Sequence, residues 1–209
     1  MPRRRSLEPR KTPQQPRSTA TQARILHAAG QVFSEWGYAA GTTNRIAKQA
    51  GLSIGSLYQY FPNKDAILAA LMRAHVHNGV AIVAARFADP DLPRDLRGQI
   101  RSFVLAAVAN HQGDPRLHQV LFEQAPRDAA VLAELRAFED ATIAATGKLL
   151  ASHPEVRVGD PHTAATVTFA TIESLTHHFI ANSDQRLPAD VFVDETVHLV
   201  HRYLTCERH

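Results

Sequence analysis

The chain has 209 residues, 23 Lys/Arg against 20 Asp/Glu, and 44% hydrophobic residues, the balance of an ordinary globular protein with room for one or two domains. Its single cysteine, Cys206, excludes an intramolecular disulfide. The net charge of +3 conceals an asymmetry, because residues 1–64 carry +8 and residues 65–209 carry −5; a basic third joined to an acidic remainder suggests a polyanion-binding module attached to something else.

Residues 1–17 contain four prolines and six basic residues and bury too little apolar surface to fold, so they are predicted to form a disordered basic arm. No apolar run follows this basic start. The expectation is therefore a protein without a signal peptide, placed in the reducing cytoplasm. Beyond the arm almost every segment has helical periodicity, with no alternating strand pattern and no Asn-Gly hairpin signal. The predicted fold is all-α.

The first helix is predicted from Thr19 to Trp36, with Ile25, Ala29, Val32 and Trp36 on one face and Gly37 as a left-handed C-cap. A second follows an N-cap at Thr42 and turns Ile46, Ala47 and Ala50 inward. A third occupies Ile54 to Tyr60, and a fourth runs from about Asn63 to Phe87. Asp-Pro and similar pairs at 89–90, 114–115, 125–126, 160–161 and 187–188 then delimit five further helices near 94–112, 115–124, 127–152, 161–182 and 189–205. The stretch from Pro161 to Ser183 has one formal charge, Glu173, but is too rich in Thr, Ser and His to span a membrane. No membrane partner is expected.

The segment that carries chemistry is TTNRIAKQAGLSIGSLYQYFPNKDAIL, residues 42–68. It reads as two short helices with a tight turn between them: Ala47 is small where they cross, Gly51 suits positive φ, and Leu52 and Leu57 lock the pair from inside. Those are the requirements of a helix-turn-helix whose second helix enters the major groove. Gly51 to Gly55 also fits the G-x-S-x-G pattern of hydrolases, but that nucleophile needs a preceding strand and here a helix precedes it.

From the first helix through Lys64, with GY at 37–38, IA at 46–47, AG at 50–51 and LYQYFPNK at 57–64, the chain resembles the DNA-binding domain of the TetR family. That resemblance implies a helix-turn-helix domain over 18–64 and a helical ligand-binding and dimerisation domain over 65–209. It implies that the Thr42 hydroxyl and N–H meet a phosphate, and that Tyr58 and Lys64 grip the backbone. Ile54, Gly55, Ser56, Gln59 and Tyr60 would face base edges, Gln59 pairing with adenine and Ile54 meeting a thymine methyl. Thr43, Arg45 and Ser53 complete the implied DNA-binding set. At Ile54 the chain departs from the basic or polar residue usual in the family.

In the acidic remainder, His75 and His77 diverge on their helix, as do His177 and His178, and no Cys/His cluster has zinc spacing. No metal site and no cofactor are expected. The helices near 161–182 and 189–205 are apolar around most of their girth and require cover on several sides. The same pair from a second subunit would supply it as a four-helix bundle. The resemblance also implies a small-molecule effector among the middle helices, with Phe103, Phe122 and Phe138 as apolar candidates and His111 and Glu173 as polar ones. Together these readings describe a non-enzymatic, homodimeric repressor on a palindromic double-stranded DNA operator, with half-sites about 34–36 Å apart. A sequence-nonspecific or architectural DNA binder without an effector is the alternative.

Overall fold

The computed structural model describes residues 9, 16–126, 129–181 and 187–207. Most of the predicted basic arm therefore lies outside the described residues; Arg17 already belongs to the first helix. Among the described residues there are nine helices and no strand: α1 (Pro16–Ala40), α2 (Thr43–Gln49), α3 (Ile54–Tyr60), α4 (Lys64–Phe87), α5 (Leu96–Gln112), α6 (Pro115–Gln124), α7 (Ala129–Ser152), α8 (Pro161–Ala181) and α9 (Ala189–Thr205). The expected all-α fold is the observed one.

Helix boundaries follow local chemistry. Thr42, Ser53, Asp95 and Asp114 each sit at an N-cap and accept a hydrogen bond from a backbone N–H three residues on, satisfying a donor that the helix itself leaves open. Gly37 interrupts α1 at φ 69°, ψ 172°, a conformation close to glycine-only.

The chain divides into two compact units, residues 1–75 with 114–133 and residues 76–113 with 134–209. In the first, Ile25, Ala29, Val32 and Phe33 of α1 are buried, as are Ile46 and Ala47 of α2, Leu57 of α3, Phe61, and Ala66 to Ala69 of α4. Phe33 fills the end of the α1 face, whereas Trp36, predicted inward, is 49% exposed under the Arg45 guanidinium. The kink at Gly37 directly follows it. The sequence reading set a domain boundary at residue 64, but this unit continues through the apolar start of α4 and takes in α6. Asp114 caps α6 and also accepts the Ser34 hydroxyl at 2.8 Å, tying it to α1.

The second unit has its own core. Leu96, Ile100, Val104 and Val108 form an inward stripe on α5, buried with Leu150 of α7 and with Ile172, Phe179, Ile180, Val193, Val197, Val200 and Leu204 of α8 and α9. Phe179 and Phe192 stack with centroids 4.1 Å apart. Arg101 of α5 pairs with Asp194 of α9. Among the described residues α4 is long and apolar enough to cross a membrane by length and composition; its start is core in the first unit, and its C-terminal half lines a groove in the second.

Candidate nucleic-acid interface

The turn between α2 and α3 is a Schellman motif. Leu52 N–H donates to the Ala47 carbonyl at 2.9 Å and Gly51 N–H to that of Lys48 at 3.1 Å, with Gly51 at φ 61°. These bonds satisfy the last carbonyls of α2 and require the left-handed residue that only glycine supplies cheaply. Buried Ile46, Ala47 and Leu57 then hold α3 on its base.

Burial sorts the α3 side chains. Ile54, Gly55, Tyr58 and Gln59 are exposed on one face, while Leu57 is fully buried. Tyr60, read above as facing base edges, is buried. It follows Leu57 by three positions and so shares the inward face, which removes its side chain from the base-reading set. A Cβ on Gly55 would meet only the Ser53 hydroxyl, at 3.8 Å, so nothing within the protein requires glycine there.

The polar residues around α3 are arranged as caps and braces. Ser53 caps α3 and shares a hydrogen bond with half-buried Ser56 at 2.8 Å. Thr43 and Tyr58 share one between hydroxyls at 3.1 Å, linking α2 to α3. The Thr42 hydroxyl accepts Arg45 N–H at 3.3 Å, and its own N–H donates to the Ala40 carbonyl. Thr42 therefore keeps a hydroxyl proton to give, but no backbone N–H.

Lys64 is braced from within the protein. Its ammonium donates to the Tyr38 carbonyl at 2.8 Å and lies 4.0 Å over the Tyr38 ring, while the Tyr38 hydroxyl donates to Asp65. These contacts fasten the start of α4 to the chain just past Gly37. Among the described residues Arg24, Arg45, Lys48 and Arg116 are exposed cations in this unit.

The five effector candidates are divided between the two units. Phe138 lines a groove of about 660 Å³ in the second unit, between α4 and α7. Phe103 packs its ring 4.7 Å from that of Phe87, another lining residue. Phe122 belongs to the first unit, with its ring against His118. His111 and Glu173 meet beside His177 in the second unit. Sequence reasoning missed most of the groove, including Val76, Val80, Val83, Ala141 and Thr142. The available signal was that α4 and α7 are both long and apolar on more than one face. Desolvation by burial is the chief cause that lowers the His111 pKa, opposed by its bond to the Ala107 carbonyl and by the Glu173 charge.

Two family models match the sequence, one described as bacterial regulatory proteins, tetR family, over residues 25–71, and one as tetracyclin repressor-like, C-terminal domain, over residues 95–204. The fatty acid metabolism regulator protein of Bacillus subtilis is 45% identical over 49 residues, 23% of this chain and 25% of that protein. The chain thus matches about a quarter of that relative's length. A bacterial regulatory protein in the tetR family from Rhodococcus RHA1 superposes with a TM-score of 0.70 at 25% identity, covering 90% of this chain and 98% of that one. FadR from Bacillus subtilis, solved in complex with stearoyl-CoA, gives a TM-score of 0.64 at 21% identity over 90% of this chain and 99% of its own, a likeness of fold.

Proposed function

This chain belongs to the TetR family of bacterial transcriptional regulators, and we propose that it acts as a homodimeric repressor released from a palindromic operator by a small, largely apolar effector. Regulators of this family are non-enzymatic DNA-binding transcription factors. The observation that carries the proposal is the exposed face of α3, Ile54, Gly55, Tyr58 and Gln59, standing on a fully buried base. A rigid helix with adaptable polar and small residues outward is what major-groove reading requires. The Arg/Lys-rich arm would add phosphate contacts to each half-site.

The groove between α4 and α7 supports the effector reading. Its volume is in the range of small-molecule sites, and its lining is mostly Val, Ala and Phe with Glu134 and His77 as the ionisable members. The stearoyl-CoA bound by the FadR neighbour favours a ligand with a long apolar part. For release, the effector must bind more tightly to a dimer geometry that mismatches the operator, since equal affinity for both states shifts nothing.

Selection of binding sites from a random duplex library tests the proposal directly, and a palindromic consensus is expected. On that consensus Gln59→Ala is predicted to cost ~1–3 kcal/mol and to relax preference at one position of each half-site. Equal loss on every sequence, with steep salt dependence and no consensus, would instead mark a nonspecific binder.

Gly55→Ala separates DNA approach from folding. The added methyl has room in the protein and improves helix propensity, so thermal stability should hold or rise slightly. Operator affinity should fall, because the methyl stands on the face proposed to meet the bases. Undiminished operator affinity in this variant would argue against close approach at that position.

A further inference from the structure

In the second unit α5 and α8 bring three side chains with metal-ligating atoms to one place. His111 continues the inward stripe of α5 and is 4% exposed. Glu173 and His177 stand four residues apart on α8 and so share a face, with His177 Nε2 3.1 Å from Glu173 Oε2. One ligand atom from each of the three lies within 4.8 Å of the other two. The His111 and His177 rings meet edge to face, their centroids 4.6 Å apart.

The hydrogen bonding prepares His111 for this role. Its Nδ1 lies 2.6 Å from the Ala107 carbonyl oxygen. A carbonyl only accepts, so the proton belongs on Nδ1, which makes Nε2 the nitrogen able to ligate. Metal-binding histidines are oriented in the same way, by a bond from the other ring nitrogen.

We propose that His111, Glu173 and His177 form a binding site for a divalent transition-metal ion of the zinc class, with two imidazole nitrogens and one carboxylate as ligands and solvent in the fourth position. Imidazole donors favour zinc, nickel or copper over magnesium or calcium. Three ligands around tetrahedral zinc stand roughly 3.4 Å apart, so small side-chain adjustments from the observed spacing complete the set. The His177 and Glu173 side chains are 26% and 27% exposed, which gives the ion a path in.

The test uses the full chain, stripped with a chelator, dialysed, and titrated with Zn²⁺ alone against a chromophoric competitor. The expected result is one tight equivalent per chain, and Co²⁺ in its place should give the intense visible bands of a four-coordinate ion. Glu173→Gln and His177→Gln keep side-chain size and leave the buried His111 in place. Each should weaken Zn²⁺ binding by at least about 10-fold and abolish the rise in Tm that Zn²⁺ gives the parent. His162→Ala, an exposed histidine at the start of α8, should bind like the parent. Absence of saturable binding overturns the proposal. So does unchanged binding in both Gln variants, which would assign the metal to other histidines on the surface.

Discussion

Leu199→Asp is expected to split the proposed homodimer and to remove tight operator binding with it. Leu199 is 52% exposed on α9 and Val167 is 41% exposed on α8. The exposed positions of α8, which include Thr163, Thr166, Val167, Ala170, Ser174 and His178, carry no Asp, Glu, Lys or Arg. An uncharged, partly apolar face on so long a helix suits burial against a copy of itself. In a two-fold interface every substitution counts twice. Each buried, uncompensated carboxylate costs at least about 1–3 kcal/mol, so two raise the dimer Kd from about 30-fold to more than 10⁴-fold. Sedimentation of the variant should show monomers at concentrations where the parent is dimeric. A half-site duplex should still bind weakly, because α3 is untouched. If the variant sediments as a dimer over the parent's concentration range, the α8–α9 interface is the wrong one.

Leu57→Ala should be the most damaging single change to the DNA-binding unit. Leu57 is fully buried, in a core that includes Ile46, Ala47 and Phe61, and it sets how α3 lies on α2. Removing its branched end leaves a cavity at a junction between short helices, which costs ~2–5 kcal/mol. The lost stability should appear in denaturant unfolding as a lower midpoint, and operator affinity should fall because the recognition helix is no longer held in one orientation. The second unit has a separate core, so dimerisation should persist. This pattern contrasts with Gln59→Ala, where affinity falls at constant stability. An unfolding midpoint equal to the parent's would show that α3 is held mainly by other contacts.

Much of the first unit was legible in the chain because its signals are local. Thr42, Ser53 and Asp114 cap helices through bonds that reach only three residues. Gly51 and Leu52 end α2 through bonds to Lys48 and Ala47, and Asp-Pro pairs mark breaks that no tertiary contact is needed to enforce. Element order and the helix-turn-helix follow from such short-range chemistry. Packing decided what each helix face meets. Tyr58 and Tyr60 are two residues apart in one short helix, yet one is exposed and the other buried. Lys64 carries the charge expected of a phosphate contact, but its ammonium is held by the carbonyl and ring of Tyr38. No spacing rule links His111 to Glu173 and His177, because a site shared by α5 and α8 exists only once the Leu96–Val108 stripe has packed. The groove between α4 and α7 is likewise a property of two helices in register. Caps and turns are fixed by neighbours along the chain, whereas pockets and ligand sets depend on side chains that only the hydrophobic core brings together.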